Sequence, residues 1–125
     1  MVTPHRSVNA LLVDVPAGHA ALLQRTLEDA GWRVRAVPVQ GAEALAAALQ
    51  RRGWQAVLYG GDGPGAVPSR KALALVRLAD PHLPFIAVSQ RHRPGDLAAL
   101  LRSLPGGVPT VADAAELPAV LTREL

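Results

Sequence analysis

Between Trp54 and Pro64 the sequence WQAVLYGGDGP passes through a short apolar run and then ends in glycines, one aspartate and a proline. A run of this kind, closed by turn residues, reads as a central strand followed by its carboxyl-end loop. In an open parallel α/β sheet, ligands and chemistry collect in the crevice beyond the strand ends, so Gly60 to Gly63 govern what such a domain can do there. Glycine occupies the place where a reactive side chain is expected.

The segments on either side have the same character. Val8 to Val13, VNALLV, is apolar on both faces, as a buried parallel strand must be, and Asp14 closes it with one carboxylate. From Ala17 the period changes. Ala20, Leu23, Leu27 and Ala30 fall on one helical face, and Gly31 supplies the stop. Trp32 to Val39 alternates, with Val34 and Ala36 against Arg33 and Arg35, as an edge strand or a strand with one exposed face does, and Pro38 marks its end. Ala42, Leu45, Ala48 and Leu49 give a second helix, closed by Arg51, Arg52 and Gly53, where positive charge suits the last turn.

Ser69 is positioned to cap a third helix carrying Ala72, Leu75, Val76 and Ala79, and the residue before Pro81 is steered out of the helical region, so that helix ends at Asp80. Pro84 to Ser89 is the fourth strand. Leu97, Leu100, Leu101 and Leu104 form a fourth apolar stripe, ended by Pro105, Gly106 and Gly107, and Val108 to Val111 is a short fifth strand. Asp113 and Glu116 have capping-box spacing, yet Pro118 then falls inside the helix, so either the fifth helix starts later or its first turn is irregular. Five strands alternating with five helices, without internal repeats, predict an α/β three-layer sandwich around a parallel sheet.

Composition limits the chemistry. A single domain of 125 residues buries about two thirds of the surface its unfolded chain exposes, enough for one core without staples. The absence of cysteine excludes disulfides, thiolate metal sites and a cysteine nucleophile, and it fits a cytoplasmic protein. No apolar run approaches the roughly 18 residues of a membrane span, and MVTPHRSV lacks the apolar core of a signal peptide. The net charge of +3 admits anionic partners, but the basic residues are scattered and aromatic residues are few, which argues against direct nucleic-acid binding. His5, His19 and His82 share no metal-ligand spacing, no Ser, His and carboxylate set stands out, and GGDGPG matches no phosphate-loop pattern. No metal, cofactor or enzymatic activity is expected.

The order and spacing of these elements resemble the receiver domain of bacterial response regulators, a flavodoxin-like fold with strand order 2-1-3-4-5, over nearly the whole chain. The junction residues carry the resemblance and also its exceptions. Receivers end the first strand in an acidic pair that holds magnesium; LLVDV keeps Asp14 and has Val15 for the second acid. Counting back from Pro64 puts Gly60 at the place of the phosphoacceptor aspartate. Ser89 matches the hydroxyl residue that ends strand four, Thr110 falls near the place of the strand-five lysine, and Lys71 is the only lysine in the chain. Phosphoryl transfer needs a nucleophile, a metal clamp and a cation, and three of the five residues that supply them in the family are missing.

The resemblance therefore implies a degenerate receiver, or pseudo-receiver, of a two-component-type signalling or transcription regulator. It would act by phosphorylation-independent protein interaction or homodimerisation through the face of its fourth helix, fifth strand and fifth helix. The residues 1–125 would be a single domain, the N-terminal segment of a longer regulator, with an effector domain, a kinase or another regulator as the partner. Arg91, His92 and Arg93 lie in the loop after strand four, either as a solvated loop, as a contact for an acidic surface, or as a site for a nucleotide-type ligand. Two other readings stay open: a small-molecule or cyclic-dinucleotide sensor using the vacated pocket between Asp14, Gly60 and Ser89, and an active receiver phosphorylated at the displaced Asp62.

Overall fold

Apolar runs too short for helices, each followed by an amphipathic segment, can bury both faces of their strands only if the helices cover the sheet on both sides. The computed structural model, which describes residues 6–61, 65–88, 108–111 and 114–125, has that architecture. Strands β1 (Arg6–Val13), β2 (Trp32–Val39), β3 (Ala56–Tyr59), β4 (Phe85–Val88) and β5 (Thr110–Val111) are parallel, in the order β2-β1-β3-β4-β5. Around them, among the described residues, lie α1 (Ala17–Asp29), α2 (Gly41–Leu49), α3 (Ser69–Ala79) and a C-terminal helix (Leu117–Glu124). The fourth apolar stripe, Leu97 to Leu104, lies outside the described residues.

The two-residue alternation of strands divides the core. On one face Val8, Ala10, Leu12, Leu58, Ile86 and Val88 meet Leu23 and Leu27 of α1 and Leu117 and Leu121 of the C-terminal helix. On the other, Leu11, Val13, Val57, Tyr59, Phe85 and Ala87 meet Leu45 of α2 and Ala72 and Val76 of α3. The central strands β3 and β4 are buried throughout. The edge strand β2 alternates between exposed and half-buried residues along most of its length.

Local chemistry sets the ends of the elements, with several differences from the sequence expectation. α2 stops at Leu49, so Arg51 and Arg52 lie beyond its last turn rather than in it. That end is closed instead by the Trp54 indole N–H, which donates to the Ala48 carbonyl at 2.8 Å. Ser69 is the first residue of α3 rather than its cap, and the residue before it, Pro68, holds the extended conformation that leads into the helix. At Asp80, the residue before Pro81, the backbone is extended and α3 ends, as expected. The conflict at Pro118 is resolved by a late start: a 3-10 turn at Ala114–Glu116 precedes the helix, and Pro118 sits in the first helical turn, where no N–H is required.

Candidate functional site

The carboxyl ends of β1, β2 and β3 converge where the sequence places the candidate residues. Asp14, the first residue past β1, is buried and has a backbone φ of 51°, the left-handed region that a short polar side chain tolerates better than most. Its carboxylate reaches in two directions. Oδ1 accepts from the Gly41 N–H at 3.0 Å, at the start of α2, and Oδ2 accepts from the Val67 N–H at 2.8 Å, in the loop before α3. One side chain thus ties together the three loops that follow β1, β2 and β3.

A second tie crosses the same loop. The Tyr59 hydroxyl at the end of β3 donates to the Val67 carbonyl at 2.6 Å, so both backbone polar groups of Val67 are satisfied by side chains from strand ends. The Tyr59 ring stacks on Phe85 with centroids 5.6 Å apart, which fixes the direction of the hydroxyl. Gly61, with φ of 72°, lies against that hydroxyl: a Cβ there would be 2.6 Å from it. The glycines after β3 thus let the chain fold back over the tyrosine.

Gly60 is the tightest point. Its N–H donates to the Val13 carbonyl at 2.8 Å, continuing the β1–β3 ladder by one bond. A Cβ built on it would stand 2.7 Å from the Asp14 carbonyl oxygen and 3.1 Å from both Cα and Cγ2 of Val15. The nearest obstacle is backbone, which cannot rotate away. Val15 itself is half-buried and packs against the α1-side core.

The structure therefore brings Asp14, Val15 and Gly60 together. Thr110 lies on β5, in register with Ala87 of β4. Ser89, Asp62 and the Arg91, His92 and Arg93 triplet lie outside the described residues. Among the described residues no three His, Asp or Glu side chains converge as a metal site, and no helix is long and apolar enough to cross a membrane. Sequence reasoning missed Gly41, Tyr59 and Val67 as members of this cluster. The available signal was Tyr59 itself, a polar-tipped aromatic at the end of an otherwise aliphatic run, which needs a partner when buried.

No protein-family model matches the chain, and no curated protein matches it. Solved structures do. A response regulator receiver protein from Sinorhizobium medicae superposes with a TM-score of 0.68 at 22% identity, over 94% of each chain. The chain has the receiver fold. The receiver domain of the sensor histidine kinase PA1611 from Pseudomonas aeruginosa, solved with magnesium coordinated in its active-site cleft, gives a TM-score of 0.69 at 20% identity, covering 94% of this chain and 96% of that one. NtrX from Brucella abortus gives 0.70 at 21% identity over 95% of this chain, which spans 27% of that protein. In NtrX the receiver fold thus forms a fraction of a longer chain.

Proposed function

We propose that this chain is a regulatory receiver-type module of a two-component-type signalling or transcription regulator, working by protein binding and not by accepting a phosphoryl group. The observation that carries this reading is the closure at Gly60. The place where the fold's acceptor carboxylate is expected holds no side chain, and the Asp14 carbonyl and Val15 occupy the space into which one would project. Magnesium does not fit the residues present: Val15 offers no side-chain oxygen, and both carboxylate oxygens of Asp14 already accept backbone N–H groups. Magnesium requires near-octahedral oxygen coordination and gives up its waters reluctantly, so one engaged carboxylate is a poor anchor. The contact between Gly60 and Asp14 also weighs against a metabolite seated between them.

Intact-mass analysis after incubation with acetyl phosphate and magnesium tests the proposal, with an active receiver as positive control. The expected spectrum is unchanged. A stable gain of one phosphoryl group mapping to Asp62 would overturn the reading. Sedimentation equilibrium of wild type and of the Arg91→Ala, Arg93→Ala double variant then separates constitutive self-association that depends on these two arginines from binding to another protein.

A further inference from the structure

We infer that the outer edge of β2 is a docking edge for an extended segment of another protein in which acidic and apolar residues alternate. β2 is the terminal strand of the sheet, and one of its two backbone edges pairs with β1. The Val39 carbonyl accepts from the Asp14 N–H on the β1 side. Because successive residues of a strand turn their N–H and C=O groups to opposite edges, Arg33, Arg35 and Val37 also face β1, whereas Trp32, Val34, Ala36 and Pro38 face outward. Pro38 has no N–H and therefore sits where the ladder does not need one. Among the described residues nothing pairs with this outer edge, and an unpaired edge is a template for strand addition.

The two faces of β2 specify what can be added. On the α2 side, Arg33 and Arg35 are both exposed, with Ser7 and Asn9 as their uncharged neighbours on β1. No described carboxylate forms an ion pair with either arginine. The two lie about 6–7 Å apart along the strand, the repeat at which an added strand presents alternate side chains. On the α1 side, Val34 and Ala36 are half-buried, and Ala36 and Pro38 border an open cleft of about 750 Å³ with Leu12, Ala20 and Gln24. A strand laid against β2 would set its acidic residues opposite the arginines and its apolar residues over this cleft, satisfying both faces at once.

A second copy of this chain supplies no acidic residue to face the arginines: antiparallel pairing of two β2 strands about Val34 sets Arg33 of one copy opposite Arg35 of the other, where like charges directly opposite are destabilising, and pairing about Ala36 sets Arg33 and Arg35 opposite Val39 and Val37, which offer no ion pair.

Fluorescence anisotropy with three labelled seven-residue peptides tests the inference: one alternating Glu and Val, one with Lys in place of Glu, and the Glu peptide N-methylated at the amides that would face β2. The Glu peptide is expected to bind, the Lys peptide is not, and N-methylation should weaken binding about tenfold or more by removing ladder hydrogen bonds. The Arg33→Glu, Arg35→Glu variant, whose substitutions are at exposed positions and are expected to leave the melting curve in place, should lose about tenfold in affinity for the Glu peptide and gain affinity for the Lys peptide. Equal affinity of the N-methylated peptide would reduce the interaction to charge alone and overturn strand addition. Binding of a single-stranded oligonucleotide in preference to the Glu peptide, no binding of that peptide at all, or a wild-type dimer abolished by Ala36→Pro would each overturn it too.

Discussion

Replacing Gly60 with alanine gives a sign, not only a size. Gly60 does not have a positive φ, so its backbone conformation is open to alanine. At a site with free space the substitution would raise stability by about 0.4–1 kcal/mol, because alanine has less backbone entropy to lose on folding. The added methyl here would instead stand 2.7 Å from the Asp14 carbonyl oxygen and 3.1 Å from Val15 Cα and Cγ2. Relieving such overlap requires β3 to move away from the end of β1, which strains the bond from the Gly60 N–H to the Val13 carbonyl. Overpacking of this kind costs about 1–3 kcal/mol, and against a backbone obstacle at 2.7 Å the upper part of that range, about 2–3 kcal/mol, applies, so the net expectation is a loss of about 1–2.5 kcal/mol. Gly18, in α1, is the internal control, since a Cβ there meets nothing within 4 Å. Gly18→Ala should therefore gain up to about 1 kcal/mol from helix propensity. Urea denaturation of the two variants beside wild type reads both values. A Gly60→Ala protein as stable as wild type, or more so, would refute the closure at this position and with it the reason given for excluding an acceptor side chain.

Asp14→Ala strands two N–H groups at Gly41 and Val67 and leaves alanine in a left-handed conformation; a loss of about 3 kcal/mol is expected by urea denaturation. Asp14→Asn keeps the backbone preference but turns an NH₂ toward one of those donors, and should cost about half as much. Tyr59→Phe removes only the hydroxyl that holds the Val67 carbonyl; about 1 kcal/mol should be lost, with faster hydrogen exchange at the Val67 amide as the local readout. Leu45→Ala empties the one fully buried position of α2 and should cost about 2–5 kcal/mol, again by urea denaturation.

Periodicity made the fold legible because a parallel sheet covered on both faces leaves a local record. β3 reads as an uninterrupted apolar run, β1 as one broken by Asn9 after an exposed Arg6 and Ser7, and α1 and α3 as single-faced stripes, since each element's environment repeats along its own length. Ends were harder to read. Arg51 and Arg52 look like a charged last turn until the Trp54 indole is seen to close α2, and that contact spans a loop. At Pro118 the sequence posed the conflict correctly and left two solutions; the 3-10 turn before the helix is the one adopted.

At the strand ends the division is sharper. The sequence by itself determined which chemical groups are present: one carboxylate at Asp14, valine beside it, glycine at Gly60, and a single lysine, Lys71. Composition and order settle such questions without coordinates. Only the tertiary structure decided what those groups touch. Asp14 Oδ1 and Gly41 N, or Asp14 Oδ2 and Val67 N, are separated by 27 and 53 positions in the chain, and no local pattern encodes a hydrogen bond across such distances. The crowding at Gly60 has the same origin: it arises from β1 and β3 lying side by side with matched ends, a relation between strands and not a property of either.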